Sequence, residues 1–414
     1  MFRRLLTLDE ARQIIGQHVS TGSLGVDVVP LLRAFGRVLA EDVVAGLDVP
    51  SFDRSTVDGY AVKAKDTFEA DENRPVKLRV CGMASAGRMP KMVVRSGRAV
   101  EIVTGAPIPE GADAVVMFEE TEVDGEGVLV RSAVVAGENV MEAGSDIRKD
   151  ETVLREGVVL GSGEVGVLAA VGLAEVKVFA VPRVAVFSTG AEVTKLGRRL
   201  LPGKVYDTNA YSLSAAVEEC GGRPVFLGVF SDRASEIEGA LRRALACADV
   251  VVTSGGVSVG PKDLMPKVLG SFGKPGVVVC GVAIKPGKPV TVAVIEGKLV
   301  FALPGHPASA LLVFRLLVEP VIRGLAGRKA DEPLVVKASA DMRMFPAKGR
   351  RTFVMVRLKR DKLNGLVAEP VSAGLSGAIT TLARADGFVE IAENVQFVDA
   401  GEEVAVRLFK NFVG

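Results

Sequence analysis

Arg183-Val-Ala-Val-Phe-Ser188, Arg223-Pro-Val-Phe-Leu-Gly-Val-Phe-Ser-Asp232, Ala248-Asp-Val-Val-Val-Thr-Ser-Gly-Gly256 and Lys298-Leu-Val-Phe-Ala-Leu-Pro-Gly305 decide the fold. Each carries a continuous apolar run, and each ends in a capping residue or a Gly/Pro turn. Helical patterns follow such turns at 212–222, 233–246 and 307–325. Strands that are apolar on both faces and joined by helices predict a mostly parallel sheet covered on both sides, a three-layer α/β/α domain over 181–328.

The character of the chain changes on either side. Residues 7–18 read as an amphipathic helix, with Thr7 and Glu10 in capping-box spacing and Leu8, Ala11, Ile14 and Ile15 on one face. From 51 to 138 helical periodicity gives way to short β-branched runs (77–89, 98–120, 127–135) separated by Gly and Pro, which predicts an inserted β module. A helix returns at about 161–171. The layout this predicts is a small α+β domain from 1–50 and 139–180, the β module at 51–138, the α/β domain at 181–328 and a C-terminal β-barrel or β-sandwich at 329–414. That C-terminal module rests on alternating runs at 334–340, 351–360, 363–371, 387–392 and 402–409, with Asn364-Gly365 as a hairpin signal.

Composition narrows the chemistry. The 414 residues are 48% hydrophobic and 24% charged, as in a globular protein. Lysine plus arginine number 51 against 50 acids, so no bulk polyanion such as nucleic acid is implied. There is no tryptophan, and the only histidines are His18 and His306, too few for a polyhistidine metal centre. Cys81, Cys220, Cys247 and Cys280 form no Cys-x-x-Cys and fit a reducing cytoplasm. No apolar run reaches the roughly 18 residues of a membrane span. The basic start of the chain is broken by Asp9, Glu10 and Arg12, unlike the core of a signal peptide.

Ligands of an open parallel sheet bind beyond the carboxyl ends of its strands. This sequence places Ser188-Thr189-Gly190-Ala191-Glu192, Tyr206-Asp207-Thr208-Asn209, Ser231-Asp232, the run Ser254-Gly255-Gly256-Val257-Ser258-Val259-Gly260-Pro261-Lys262-Asp263 and Leu303-Pro304-Gly305-His306 there. Small residues and hydroxyls at helix starts form anion cradles, and Lys285 and Lys288 of Ile284-Lys285-Pro286-Gly287-Lys288-Pro289 add cations. Glu192, Asp232 and Asp263 on the same rim would repel a phosphate unless a hard divalent cation bridges them. A phosphate-bearing ligand with Mg²⁺ is the expectation.

Plainer readings stand beside these. Gly260 is followed by Pro261 where a P-loop has lysine, and a glycine-rich strand-to-helix turn is often structural. Gly161-Ser-Gly163-Glu-Val-Gly166 matches G-x-G-x-x-G but lacks an acid about 20 residues on, so capping by Ser162 is the expectation there. His306 reads as helix-start geometry, and Lys348-Gly349-Arg350-Arg351 as a basic turn within reach of an oxyanion.

Seven ordered motifs carry a family resemblance. Pro50-Ser-Phe-Asp-Arg-Ser-Thr-Val-Asp58-Gly-Tyr-Ala-Val62, Thr104-Gly-Ala-Pro-Ile-Pro109, Ser188-Thr-Gly-Ala-Glu192, Asp207-Thr-Asn209, Ser254-Gly-Gly-Val-Ser-Val-Gly260, Lys285-Pro-Gly-Lys-Pro289 and Leu303-Pro-Gly-His-Pro307 span essentially the whole chain. Together they resemble the molybdopterin molybdenumtransferases, the family that includes the E domain of gephyrin. The resemblance implies a homodimer whose working cleft is completed by the partner subunit. It implies insertion of metal from molybdate, or tungstate, into adenylylated molybdopterin with Mg²⁺ and release of AMP. Molybdopterin adenylyltransferase and acceptor molybdo- or tungstoenzymes are the partners it implies.

Carried over by position, Asp58, Thr104, Glu192, Asp232 and Asp263 resemble the family's catalytic residues, and of these Asp263 or Glu192 is the expected ligand of Mg²⁺. Lys285, Lys288, Pro289, Arg350 and Ser376 resemble its oxyanion-handling set. The cradle residues Thr189, Gly190, Asp207, Asn209, Ser254, Gly255, Gly256, Ser258, Gly260, Pro304 and Gly305 complete the expected binding site. The sequence departs from the family pattern at Met141, Glu142, Ala143 and Ser145, at His306 and at Gly281. The competing activities are molybdopterin adenylylation, which shares the α/β fold and glycine-rich loop, and a non-catalytic scaffold like that of gephyrin.

Overall fold

The structure is a computed structural model that describes residues 5–19, 24–257, 264–328, 334–360, 365–371 and 379–409. The chain forms two compact units, one of Met1–Asp27, Gly36–Ala40 and Lys177–Gly414, the other of Val28–Phe35 and Glu41–Val176.

Helix α1 (Leu8–His18) belongs to the larger unit and starts in the expected capping box. Glu10 N–H donates to Thr7 Oγ1 at 3.1 Å, and Thr7 N–H donates to Glu10 Oε2 at 2.8 Å. Its Leu8, Ala11 and Ile15 are buried with Val279, Val282 and Ile284. The i, i+3, i+7 spacing of apolar residues is what turns that face inward.

The smaller unit is built on one six-stranded sheet. Its strands are β1 (Gly59–Val62), β2 (Val76–Ala84), β3 (Arg98–Ile102), β4 (Ala114–Met117), β5 (Thr121–Asp124) and β6 (Gly127–Val130), in the order β4-β1-β3-β2-β6-β5. All pairs are antiparallel except β2 with β3. Tyr60, Val62, Val116 and Val128 pack on one face, and Ala61, Val100, Ile102 and Val115 on the other. Helix α2 (Ser162–Ala170) follows. Gly161, not Ser162, is its N-cap, and Glu164 Oε2 reaches back to accept from Gly161 N–H at 2.9 Å. Ser162 already lies in the first turn, so the expectation that it caps is corrected by one residue.

In the larger unit come β7 (Arg183–Thr189), α3 (Asn209–Glu219), β8 (Arg223–Phe230), α4 (Ala234–Cys247), β9 (Val250–Ser254), α5 (Met265–Ser271), β10 (Gly276–Cys280), β11 (Thr291–Ile295), β12 (Lys298–Leu303) and α6 (Pro307–Val313). A π turn at Phe314–Val318 carries α6 into α7 (Glu319–Leu325). The sheet order is β8-β7-β9-β12-β11-β10, and its first four strands are parallel. Val184, Val186, Val252 and Phe301 bury one face with Leu213, Val217 and Leu312. Ala185, Phe187, Val251 and Val300 bury the other with Ile237, Leu241 and Leu269. At about 1.5–3 kcal/mol per large side chain, these two cores fix the register that aligns the carboxyl ends of β7, β9 and β12.

The hydrophobic runs do not by themselves reveal that β11 is antiparallel to β12. The cause is a two-residue turn, Glu296-Gly297, with φ of 52° and 74°, the positive values a tight hairpin needs.

The C-terminal strands are β13 (Val335–Ala340), β14 (Arg351–Arg360), β15 (Leu366–Pro370), β16 (Gly387–Ile391) and β17 (Glu403–Leu408), with α8 (Ile379–Arg384) between β15 and β16. They pair in the order β14-β15-β13-β17-β16, and β16 pairs back to β14, closing a five-stranded barrel. Val356, Ala368, Val389, Val404 and Val406 fill it. Gly365 immediately precedes β15, while Asn364 of the expected hairpin signal lies outside the described residues.

Candidate functional site

The strand ends of the larger unit are tied together by side chains of one short segment, Asp207-Thr208-Asn209. Ser188 Oγ, at the end of β7, donates to Asp207 Oδ1 at 2.8 Å, and the same oxygen accepts from Ala210 N–H at 3.1 Å. Asp207 thereby holds the first turn of α3. Asn209 Nδ2 donates to Ser254 Oγ at 2.7 Å and to Gly305 O at 2.7 Å, and Ser254 Oγ donates to Pro304 O at 2.9 Å. The ends of β9 and β12 are thus fixed by a network in which Asn209 and Ser254 are buried.

The turn after β9 demands glycine. Gly255 has φ +100°, and a Cβ on it would lie 2.1 Å from Thr189 O. Gly256 has φ +67° and lies against the Thr189 hydroxyl. The Thr189 hydroxyl is buried and has no hydrogen-bond partner among the described residues.

The acids gather at the β7–β8 end of the rim. Asp232 Oδ2 accepts from Ala191 N–H at 3.0 Å, which brings its carboxylate to the residue before Glu192. Glu192 folds back over Gly190, both of its carboxylate oxygens 3.0 Å from where a Cβ on Gly190 would be. Both carboxylates are exposed. Lys204, which the sequence reading did not single out, donates through Nζ to Ala191 O. It comes from a short excursion whose strands, Val193–Thr194 and Val205–Tyr206, pair in parallel. Nothing in the local pattern of the chain signals that return. Solvent-open carboxylate oxygens are hard ligands with room for retained water, and that donor set suits Mg²⁺. Among the described residues no three or more His, Cys, Asp or Glu gather as an all-protein metal cage.

The cations stand at the opposite end. Gly287 of the Lys285–Pro289 loop has φ +105°, and a Cβ there would lie 2.4 Å from Val313 Cγ2, so the loop lies directly on α6. Ile284 and Lys285 pair in parallel with Arg351 and Thr352 of β14. Arg351 N–H donates to Ala283 O at 3.0 Å, and Thr352 Oγ1 donates to Arg350 O at 3.2 Å. This short ladder sets Arg350 at the head of the strand neighbouring Lys285. Lys285 is exposed, whereas Lys288, Pro289 and Arg350 are half-buried.

Comparison with known proteins agrees along the chain. Residues 6–172 match the MoeA N-terminal region (domain I and II), 185–324 a probable molybdopterin binding domain, and 337–409 the MoeA C-terminal region (domain IV). A molybdopterin molybdenumtransferase of Haemophilus influenzae is 34% identical over 412 residues, covering 99% of this chain and 100% of that protein. One from Nostoc sp. is 35% identical over 386 residues, covering 92% and 88%. The chain belongs to the molybdopterin molybdenumtransferase family. A solved molybdopterin biosynthesis MoeA protein of Pyrococcus horikoshii superposes with a TM-score of 0.83 at 41% identity, covering 99% of this chain and 100% of that one. Like the rest of the family, the chain is a transferase of molybdenum cofactor biosynthesis. No helix among the described residues is long and apolar enough to cross a membrane.

Asp58 and Thr104, which the family resemblance pairs with the reaction, meet each other in the smaller unit. Thr104 N–H donates to Asp58 Oδ1 at 2.6 Å, and its hydroxyl donates to the same oxygen at 2.9 Å. The backbone bond first, and then the hydroxyl, hold the Asp58 carboxyl below the usual carboxylate range. Four other family positions, Ser258, Gly260, Asp263 and Ser376, lie outside the described residues.

His306 is exposed and is the N-cap of α6, without a side-chain capping bond. Gly281 has φ +80°, and a Cβ on it would lie 2.8 Å from Leu5 Cδ2, so the backbone at this departure suits glycine. The described cysteines are all free. Burial, then the nearby Glu319, pushes the Cys220 thiol up to about 12, so it stays protonated and is no nucleophile.

Proposed function

We propose that the chain inserts molybdenum from molybdate into adenylylated molybdopterin and that AMP leaves in a Mg²⁺-dependent step. The observation that supports this most directly is the division of charge along one row of strand ends. Glu192 and Asp232 stand beside β7 and β8, Lys285 and Arg350 at the other end, and the Asp207–Asn209–Ser254 network lies between them.

Glu192, with Asp263, would hold Mg²⁺. When bound, that ion offsets the charge of the pyrophosphate so that acids can stand beside it. Lys285, Lys288 and Arg350 neutralise a tetrahedral dianion, and the half-buried position of Lys288 and Arg350 strengthens that attraction relative to open water. Pro289 and the Gly287 contact with α6 keep the loop in place. The dithiolene sulfurs belong to the substrate, so the chain needs no nucleophile, and its share is to bind, orient and neutralise. Asp58, kept ionised by Thr104, serves the same reaction in this reading, and a homodimer is its assembly.

The test incubates purified protein with adenylylated molybdopterin, Mg²⁺ and either molybdate or tungstate, then measures AMP and metal-loaded pterin. Release of AMP together with metal-loaded pterin supports the reading. Absence of both products with both oxyanions removes it, and ATP-dependent adenylylation of molybdopterin without metal insertion replaces it.

A further inference from the structure

The strand-end network leaves one acid oxygen over. Asn209 has two amide hydrogens, and both are donated, to Ser254 and to Gly305. Ser254 gives its only hydrogen to Pro304 O and accepts from Asn209. Ser188 gives its hydrogen to Asp207. These side chains are occupied by the fold. Asp207 is different: it is only 3% exposed, Oδ1 accepts two hydrogen bonds, and Oδ2 is buried with no hydrogen-bond partner among the described residues. A buried polar atom left bare is costly and calls for a physical explanation, of which a bound group that completes it is one.

Three kinds of group can be weighed against that oxygen. A phosphate or oxyanion is repelled by a buried acid. Mg²⁺ sheds its water reluctantly and favours open carboxylates such as Glu192 and Asp232 over a closed one. A neutral N–H donor needs only an acceptor, and Asp207 Oδ2 is one. We propose that Asp207 Oδ2 is the specificity element for the heterocycle of the substrate, accepting a hydrogen bond from the amino or ring N–H of the pterin. Asn209 and Ser254, by contrast, are positioning residues that hold the two turns around it. This rests on the reading that molybdopterin binds at these strand ends, and it gives the ligand a direction. The donor edge of the ring lies at Ser188–Asp207, away from the cations Lys285, Lys288 and Arg350.

Asp207→Asn isolates the claim. The amide oxygen keeps the bonds from Ser188 and Ala210, while its NH₂ turns the bare acceptor into a donor facing another donor. With the full-length protein, the expected result is an unchanged unfolding midpoint and molybdopterin binding weakened about tenfold or more, with AMP and molybdate binding unchanged. Equal affinity of the variant and the parent for molybdopterin overturns the assignment, as does a parallel loss for all three ligands. If the parent itself binds no molybdopterin, it is the functional reading that fails.

A second measurement needs no variant: competition against bound molybdopterin by pterin and by its 2-dimethylamino analogue, which lacks the amino hydrogens. Preference for pterin is expected, and equal competition counts against the proposal.

Discussion

Asn209 Nδ2 and Ser254 Oγ lie 2.7 Å apart, inside a buried network that links the start of α3 to the end of β9. The same nitrogen also holds Gly305 O, so a single side chain fixes two turns. Asn209→Ala strips a donor from both acceptors. A loss of about 2 kcal/mol is expected, since buried groups left unpaired typically lose 1–3 kcal/mol each with partial relaxation. Chemical denaturation with a constant slope measures it. Because the two residues share one network, Asn209→Ala and Ser254→Ala are expected to be less than additive in the double variant. Full additivity would show that the network is not coupled.

Two glycines of the cradle should behave in opposite ways. Gly255→Ala forces a Cβ to within 2.1 Å of Thr189 O at φ +100°, so backbone strain and overpacking combine. Together they are worth about 2–5 kcal/mol. At Gly305 the nearest atom to an added Cβ is Gly255 Cα at 3.9 Å, an ordinary contact. Gly305→Ala is expected to keep the parental melting temperature while weakening ligand binding by narrowing the cradle. Thermal unfolding of the pair decides it: similar melting temperatures would contradict the geometry.

The contrast shows what is legible in the chain and what is not. The four parallel strands can be read because an apolar run bounded by Gly or Pro carries its own signature. The capping box of Thr7 with Glu10 is likewise written in local spacing. The antiparallel turn of β11 depends on two positive φ values, at Glu296 and Gly297, and only one of the two residues is glycine. Lys204 reaches Ala191 across a 13-residue excursion that no periodicity marks. The residue types of the cradle are apparent in the sequence, but their division of labour is not. That Asn209 is fully engaged while Asp207 keeps a bare oxygen depends on distances set by three strands and a helix.

Asp58 and Thr104 yield a prediction in pH. Two hydrogen bonds to the charged form, the backbone N–H first and the hydroxyl second, depress the folded-state pKa of Asp58. The stabilisation is therefore complete above the ordinary carboxylate range and is lost as pH falls through the lowered value. Thr104→Val removes the hydroxyl and keeps the N–H. The Asp58 titration is expected to move up part of the way toward that of a free carboxylate, with the acid-side loss of stability beginning at higher pH. Carboxyl carbon shifts followed by NMR report it directly, and an unmoved titration would mean that the hydroxyl bond contributes nothing.

The cation loop separates charge from placement. Lys288→Ala removes a positive charge from the proposed oxyanion site. Molybdate affinity should fall, and because one fewer charge is screened, its dependence on ionic strength should flatten. Gly287→Ala removes no charge. Its Cβ would collide with Val313 Cγ2 at 2.4 Å, at a φ of +105°, and push the loop off α6. Affinity should fall here too, but with the salt dependence of the parent. Titration calorimetry at two ionic strengths distinguishes the cases. If Lys288→Ala leaves both the affinity and its salt dependence unchanged, the lysine does not hold the oxyanion. If Gly287→Ala binds molybdate like the parent, the contact with α6 does not place the lysines.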